Sequence, residues 1–404
     1  MKYLPFLALL FSSGVAFSVQ PHAYVTDQLG GAVHVIDTSN DTVQIIFGFD
    51  HPRVVKVTAD GTRAFIGCDD NTIRIIDTIT NRVLPEVIQV NHPVAMALTP
   101  QHIYIASTDN TVSVINTLDY SPVIEIAGFN NPQDVKVRPD GKVIYVTNSG
   151  NGTISIIDAP THTIVGTITG FQTPIGLTFT VEGNYAYIAD TSHNAIYVLR
   201  TADNHIVDII LGFSGPSYIA VTPDETYAFV SNIDNDMISV LRVSDHKIVH
   251  KLSIPNPKSL AVTQDGEFLY VGGGVETVFK VRISDYAIVA AIPNFKNPSN
   301  ITFTTNNTPA NTLNACQELL APRGITNHIT WQVATGQPVA YTIYRDLDLT
   351  HLIVRLPPTS LSYEDANLEP GQTYTYFLLA EYADGFSSTM GNVEVSSARI
   401  CQDL

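Results

Sequence analysis

Seven short aromatic-led runs recur at near-constant spacing, and that recurrence constrains the fold more than any other feature of the chain. They begin at Tyr24 (YVTD), Phe65 (FIGC), Tyr104 (YIAS), Tyr145 (YVTN), Tyr187 (YIAD), Phe229 (FVSN) and Tyr270 (YVGG), with spacings of 41, 39, 41, 42, 42 and 41 residues. A second ladder keeps the same step: Pro52, Pro93, Pro132, Pro174, Pro216, Pro257 and Pro298. Within one unit, residues 132–171, four runs rich in Val, Ile, Tyr and Thr are separated by Pro139-Asp140-Gly141, Asn148-Ser149-Gly150-Asn151-Gly152 and Asp158-Ala159-Pro160-Thr161-His162. Such runs between turn clusters are strands of a meander. Four strands per unit at about 40–45 residues indicate propeller blades. A linear solenoid would need distinct capping repeats, and none is apparent.

The phase of the count predicts how the ring closes. The first unit opens at the Tyr24 run and lacks the strand that follows a proline elsewhere. Residues 299–304 after Pro298 supply it, so pairing 299–304 with 22–27 completes one blade from both ends of the domain. Closure of this kind removes open sheet edges.

The YVTN run, with Pro139-Asp140-Gly141-Lys142 and Thr153-Ile154-Ser155-Ile156-Ile157-Asp158, resembles the repeats of the YVTN-type seven-bladed β-propellers of exported and surface-layer proteins. The resemblance spans about residues 22–304 and implies a fold; propellers host many unrelated activities. After the polar stretch 305–314, which reads as a linker, the period is lost. Trp331, Tyr341-Thr342-Ile343-Tyr344 and Leu368-x-Pro370-Gly371-x-x-Tyr374 make residues 315–404 similar to a fibronectin type III domain. That resemblance implies a buried core Trp331 and a corner Tyr374. The expected fold class is therefore all-β: a propeller over 19–304 followed by a type III-like sandwich.

The first 18 residues carry Lys2, an apolar stretch Leu4–Leu10 and small residues Ala16 and Ser18. This is the pattern of a secretory signal peptide, the alternative being a membrane anchor for which the apolar stretch is short. The expected location is periplasmic, cell-surface or extracellular, with no integral span in the mature chain. Cys316 and Cys401 bracket the tail and are expected to pair in an oxidising compartment, which leaves Cys68 over, a buried inert thiol with a reactive or intermolecular thiol as the alternative. A formal charge of −17 repels nucleic acid and anionic lipid, so a protein or glycan partner is expected.

In a propeller the second-to-third-strand loops share a face with the loops that enter each blade. Candidate binding residues on that face are Asp27, His51, Asp69, Asp70, His92, Asp109, Asn148, Asp190, His193, Asn232 and Asp234. The short polar residues that end the second strands are also natural turn formers. A calcium site is not indicated, because no D-x-[DN]-x-[DN]-G loop gathers the oxygens one ion needs. His51 and His92 could share a metal or acid–base role, but they also read as solvated loop histidines. There is no C-x-x-C-H, H-E-x-x-H, G-x-S-x-G or P-loop, and neither metal nor cofactor is expected. The leading expectation is an exported, non-enzymatic binding, adhesion or scaffolding protein. Its rivals are a lactonase-like hydrolase or lyase at the central channel, with metal held by top-face carboxylates near His51, His92 or His193, and a structural envelope component.

Overall fold

The computed structural model describes residues 22–273 and 276–304. In the C-terminal part it describes 314–320, 324–330, 338–345, 351–357, 359–360, 362–368, 374–382 and 387–395. The chain divides into two compact units, one of them residues 20–306. That unit is a seven-bladed β-propeller of four-stranded antiparallel sheets. The innermost strands, in blade order, are Pro298–Phe303, Val54–Val57, Pro93–Leu98, Pro132–Val137, Pro174–Phe179, Pro216–Val221 and Pro257–Val262. Each lies against the next, and the seventh returns to the first, so the ring is closed.

Blade 1 is assembled from both ends of this unit. Pro298–Phe303 pairs with His22–Asp27, placing Ile301 opposite Val25. Thr304 adds reciprocal bonds to His22: its amide donates to the His22 carbonyl at 2.9 Å and its hydroxyl accepts from the His22 amide at 2.9 Å. Ala23, Val25 and Ile36 of blade 1 pack with Tyr270, Val278 and Ile292 of blade 7, so a shared apolar core reinforces the seam.

Burial explains the composition of the strands. Middle strands such as Val143–Asn148 and Thr153–Asp158 have nearly solid apolar interiors because both faces pack against neighbouring blades. Outermost strands alternate: in Thr163–Thr169, Ile168 is buried while Val165 is exposed. The chain leaves several outer strands through a Gly-Phe pair. Gly170 (φ 108°) and Gly212 (φ 103°) adopt backbone that favours glycine, and they turn Phe171 and Phe213 inward to fill the space between blades.

The other unit's described strands form two sheets. One orders Asn314–Leu320, Gly324–Thr330 and Ser362–Leu368; the other orders His351–Leu356, Pro338–Arg345, Tyr374–Tyr382 and Ser387–Val395. Ile329, Tyr341, Ile343, Tyr376 and Leu378 are buried. Asp365 accepts from Arg345 Nη2 at 2.6 Å and from the Tyr376 hydroxyl at 2.7 Å, joining the two sheets. The expected signal peptide, residues 305–313 of the expected linker, Trp331 and Cys401 lie outside the described residues, so the Cys316–Cys401 pairing lies outside them as well.

Candidate functional site

Two sets of Asx side chains fix the loop face. At the end of a second strand, the side chain accepts backbone N–H groups from the loop entering its own blade. Asp27 accepts from Asn297 (2.7 Å) and Lys296 (3.0 Å), and Asp190 from Gln172 (2.7 Å) and Thr173 (2.9 Å). Asn148 accepts from Asn130 (3.2 Å) and Asn232 from Ser214 (3.1 Å). All four are buried. These sequence-predicted site residues thus act as loop clamps, with their polar atoms committed inside the protein.

The second set sits at hairpin tips in left-handed backbone. Asn71, Asn110, Asn194 and Asp236 accept the N–H of the residue before the next blade's proline: His92 at 2.9 Å, Asn131 at 2.6 Å, Gly215 at 2.7 Å and Asn256 at 2.7 Å. The carbonyls of His92, Asn131 and Gly215 accept from Thr108, Ser149 and Ile233 of the following hairpin. Each such residue therefore joins two blades through its own peptide groups. His51, His92 and Asn131 all have φ between 33° and 48°.

What these clamps leave exposed is His51, Asp70, His92, Asp109, His193 and Asp234, with Asp69 half-buried. His51 Nδ1 lies 2.6 Å from Asp50, Arg53 pairs with Asp69, and His193 Nδ1 lies 2.7 Å from Asp190 and 2.9 Å from the Tyr197 hydroxyl. The three histidines belong to three different loops. Among the described residues no three His, Cys, Asp or Glu side chains converge as metal ligands. Cys68 occupies the clamp position of blade 2. It is fully buried, and burial first, then the Asp70 charge, pushes its thiol up to about 12, which leaves it a packed, unreactive group.

Sequence reasoning named the central channel but none of the residues that line it. Its wall follows, Ala97 apart, a rule in the register: the residue four after each repeat proline pairs with the repeat's aromatic residue. In blade order these are Thr302, Lys56, Ala97, Lys136, Thr178, Ala220 and Ala261, opposite Tyr24, Phe65, Tyr104, Tyr145, Tyr187, Phe229 and Tyr270. Two residues earlier stand Asn300, Val54, Ala95, Asp134, Gly176, Tyr218 and Ser259. The cavity these strands enclose measures about 340 Å³. Its charged centre is Lys136, whose Nζ lies 2.8 and 2.9 Å from the two Asp134 oxygens, and Lys56. Asp134 also accepts from the Val135 and Leu177 amides at 2.9 and 3.0 Å. Burial, then the Lys136 charge, lower Lys56 to about 8 against a smaller opposing effect of Asp134.

A closed ring of seven four-stranded blades with clamped polar loops around an axial channel defines the chain as a seven-bladed β-propeller. It belongs to the YNCE-like beta-propeller family, whose model matches residues 72–284. No curated protein matches the sequence. Among solved structures, a functionally unknown protein of Desulfotomaculum acetoxidans is 16% identical, with a TM-score of 0.62 over 70% of this chain and 98% of its own. A chain of Kuenenia stuttgartiensis hydrazine synthase is 20% identical, with a TM-score of 0.56 over 69% and 92%. A proposed 6-phosphogluconolactonase of Bacteroides fragilis is 14% identical, with a TM-score of 0.62 over 72% and 99%. At these identities the likeness is one of fold.

Proposed function

We propose that the propeller is a recognition module of an exported protein, presenting its clamped loop face to a protein or glycan. The observation that carries this reading is the pair of Asx clamp sets. They immobilise the loops through buried or backbone-directed bonds and leave His51, Asp70, His92, Asp109, His193 and Asp234 outward. A preorganised polar surface suits recognition, because little loop entropy is lost when a partner docks. The three-plus-four sheet order of the second unit's described strands supports a type III-like sandwich acting as a spacer or second binding surface, since this division of strands is the one such domains use. Export rests on the leader-like first 18 residues and the acidic composition.

The test is a glycan array and a surface-protein panel probed with the full chain and with a His92→Ala/Asp109→Ala/Asp234→Ala variant. The expected result is binding to at least one member, weakened about tenfold or more in the variant. Turnover of a lactone panel at enzyme-like rates would overturn the reading, as would binding indifferent to the triple substitution.

A further inference from the structure

The channel holds a charge that the loop face does not use. The chain is strongly acidic, at −17, yet two of its lysines stand in one cavity on the innermost strands of blades 2 and 4. Asp134 engages Lys136 with both oxygens. Lys56 has no hydrogen-bond acceptor or ion-pair partner among the described residues, so the cavity carries one uncompensated positive charge. Beside it, Asn300 commits its Oδ1 to the Val55 amide at 3.1 Å. That bond anchors the Asn300 side chain against the Lys56 strand and leaves its Nδ2 donor uncommitted. The remaining positions of the same register are small: Ala97, Thr178, Ala220, Ala261 and Thr302.

We propose that the channel binds a small monoanionic carboxylate of up to sugar-acid size, with the Lys56 ammonium as its counter-charge and the Asn300 amide as a donor. One uncompensated cation matches one negative charge; a dianion would leave a surplus buried in the cavity, which is costly. The walls offer hydroxyls for a polyol body, from Tyr218, Thr178 and Thr302, within about 340 Å³. The groups facing Lys56 are Lys136 and Asp134 from blade 4 and Tyr218 from blade 6, with Arg53, just before its own strand, drawn off by Asp69. Burial and the Lys136 charge hold the Lys56 ammonium below its ordinary range, and an anion beside it would raise its proton affinity.

Titration calorimetry of the full chain with sodium gluconate, sodium glucuronate and sodium phosphate tests this. Expected are one carboxylate bound per chain and proton uptake on binding at pH 8.5, seen as a dependence of the heat on buffer ionisation. Lys56→Gln should weaken binding by about tenfold or more, while Lys247→Gln, on an exposed outer strand, should leave it unchanged. Lys56→Met serves as the folding control, melting at or above the wild type while binding no carboxylate. The proposal fails if neither carboxylate binds by about 10 mM, if phosphate binds more tightly than both, or if Lys56→Gln binds as well as the wild type.

Discussion

At the clamp position the identity of one side chain goes with that of another seven residues on. Where the clamp is Asn148 or Asn232, its Nδ2 donates to Ser155 Oγ at 2.9 Å or Ser239 Oγ at 3.0 Å. Where it is Asp27, the group seven residues on is His34, with Nε2 3.4 Å from the carboxylate and the ring stacked on Phe295. An amide needs an acceptor for its N–H₂, whereas a carboxylate needs donors only. The difference gives Asp27 a pH signature. Burial pushes its carboxyl up, but the bonds from His34, Asn297 and Lys296 together outweigh that and hold it below the ordinary 3.8. A carboxyl depressed in the folded state contributes stability above its unfolded pKa and loses it as pH falls through the folded value. Wild type should therefore lose more stability than Asp27→Asn between pH 5 and pH 3, measured by urea midpoints; an equal loss would remove Asp27 from the acid response. Asp27→Ala at pH 7 orphans the Lys296 and Asn297 amides and should cost about 2–4 kcal/mol.

The strand is the scale at which the sequence was most legible, and the reason is local. Turn clusters and repeated aromatic and proline positions are short-range signals, and seven copies reinforce one another. The channel wall was not legible, because innermost strands such as Pro132–Val137 (PQDVKV) mix polar and apolar residues without clean alternation and become neighbours only when the ring closes. Lys136 and Asp134 carry no motif of their own, and only the register places them opposite Tyr145 and Thr147. The hairpin-tip bonds escaped for another reason: each crosses to the next blade's backbone, and no side-chain pattern records that. Asn194 separates their two contributions, since it both sits at φ 53° and accepts the Gly215 amide at 2.7 Å. Asn194→Gly keeps the backbone freedom and loses the bond, at about 1 kcal/mol. Asn194→Ala loses both and should cost about 1 kcal/mol more in a denaturant titration; equal costs would mean the left-handed backbone carries no strain. Position within the blade decides a second contrast. Ile301 on the closing inner strand is 5% exposed and Ile124 on an outermost strand 45%. Ile301→Asp should lose more than about 3 kcal/mol, and Ile124→Asp less than about 0.5 kcal/mol.

For the whole molecule, the balance between a strongly acidic surface and a cationic channel sets the response to alkali. Lys56 is lowered in the fold from 10.5 to about 8 by burial first and Lys136 second. Between those values the unfolded chain binds the proton and the folded chain does not, so stability contributed by this group rises with pH across the window. Below about pH 8 the folded protein carries the ammonium at a cost, which solvent reaching it through the channel reduces. Lys56→Met removes that cost and should raise the melting temperature at pH 7 by ~2 °C, which corresponds to about 1 kcal/mol for a propeller of this size. By pH 10 most of the gain should vanish, because the wild-type amine is then neutral in the fold. Scanning calorimetry of both proteins at pH 7, 8.5 and 10 reads this directly. A gain that stays constant across the three would assign the effect to packing of the methionine and not to the charge.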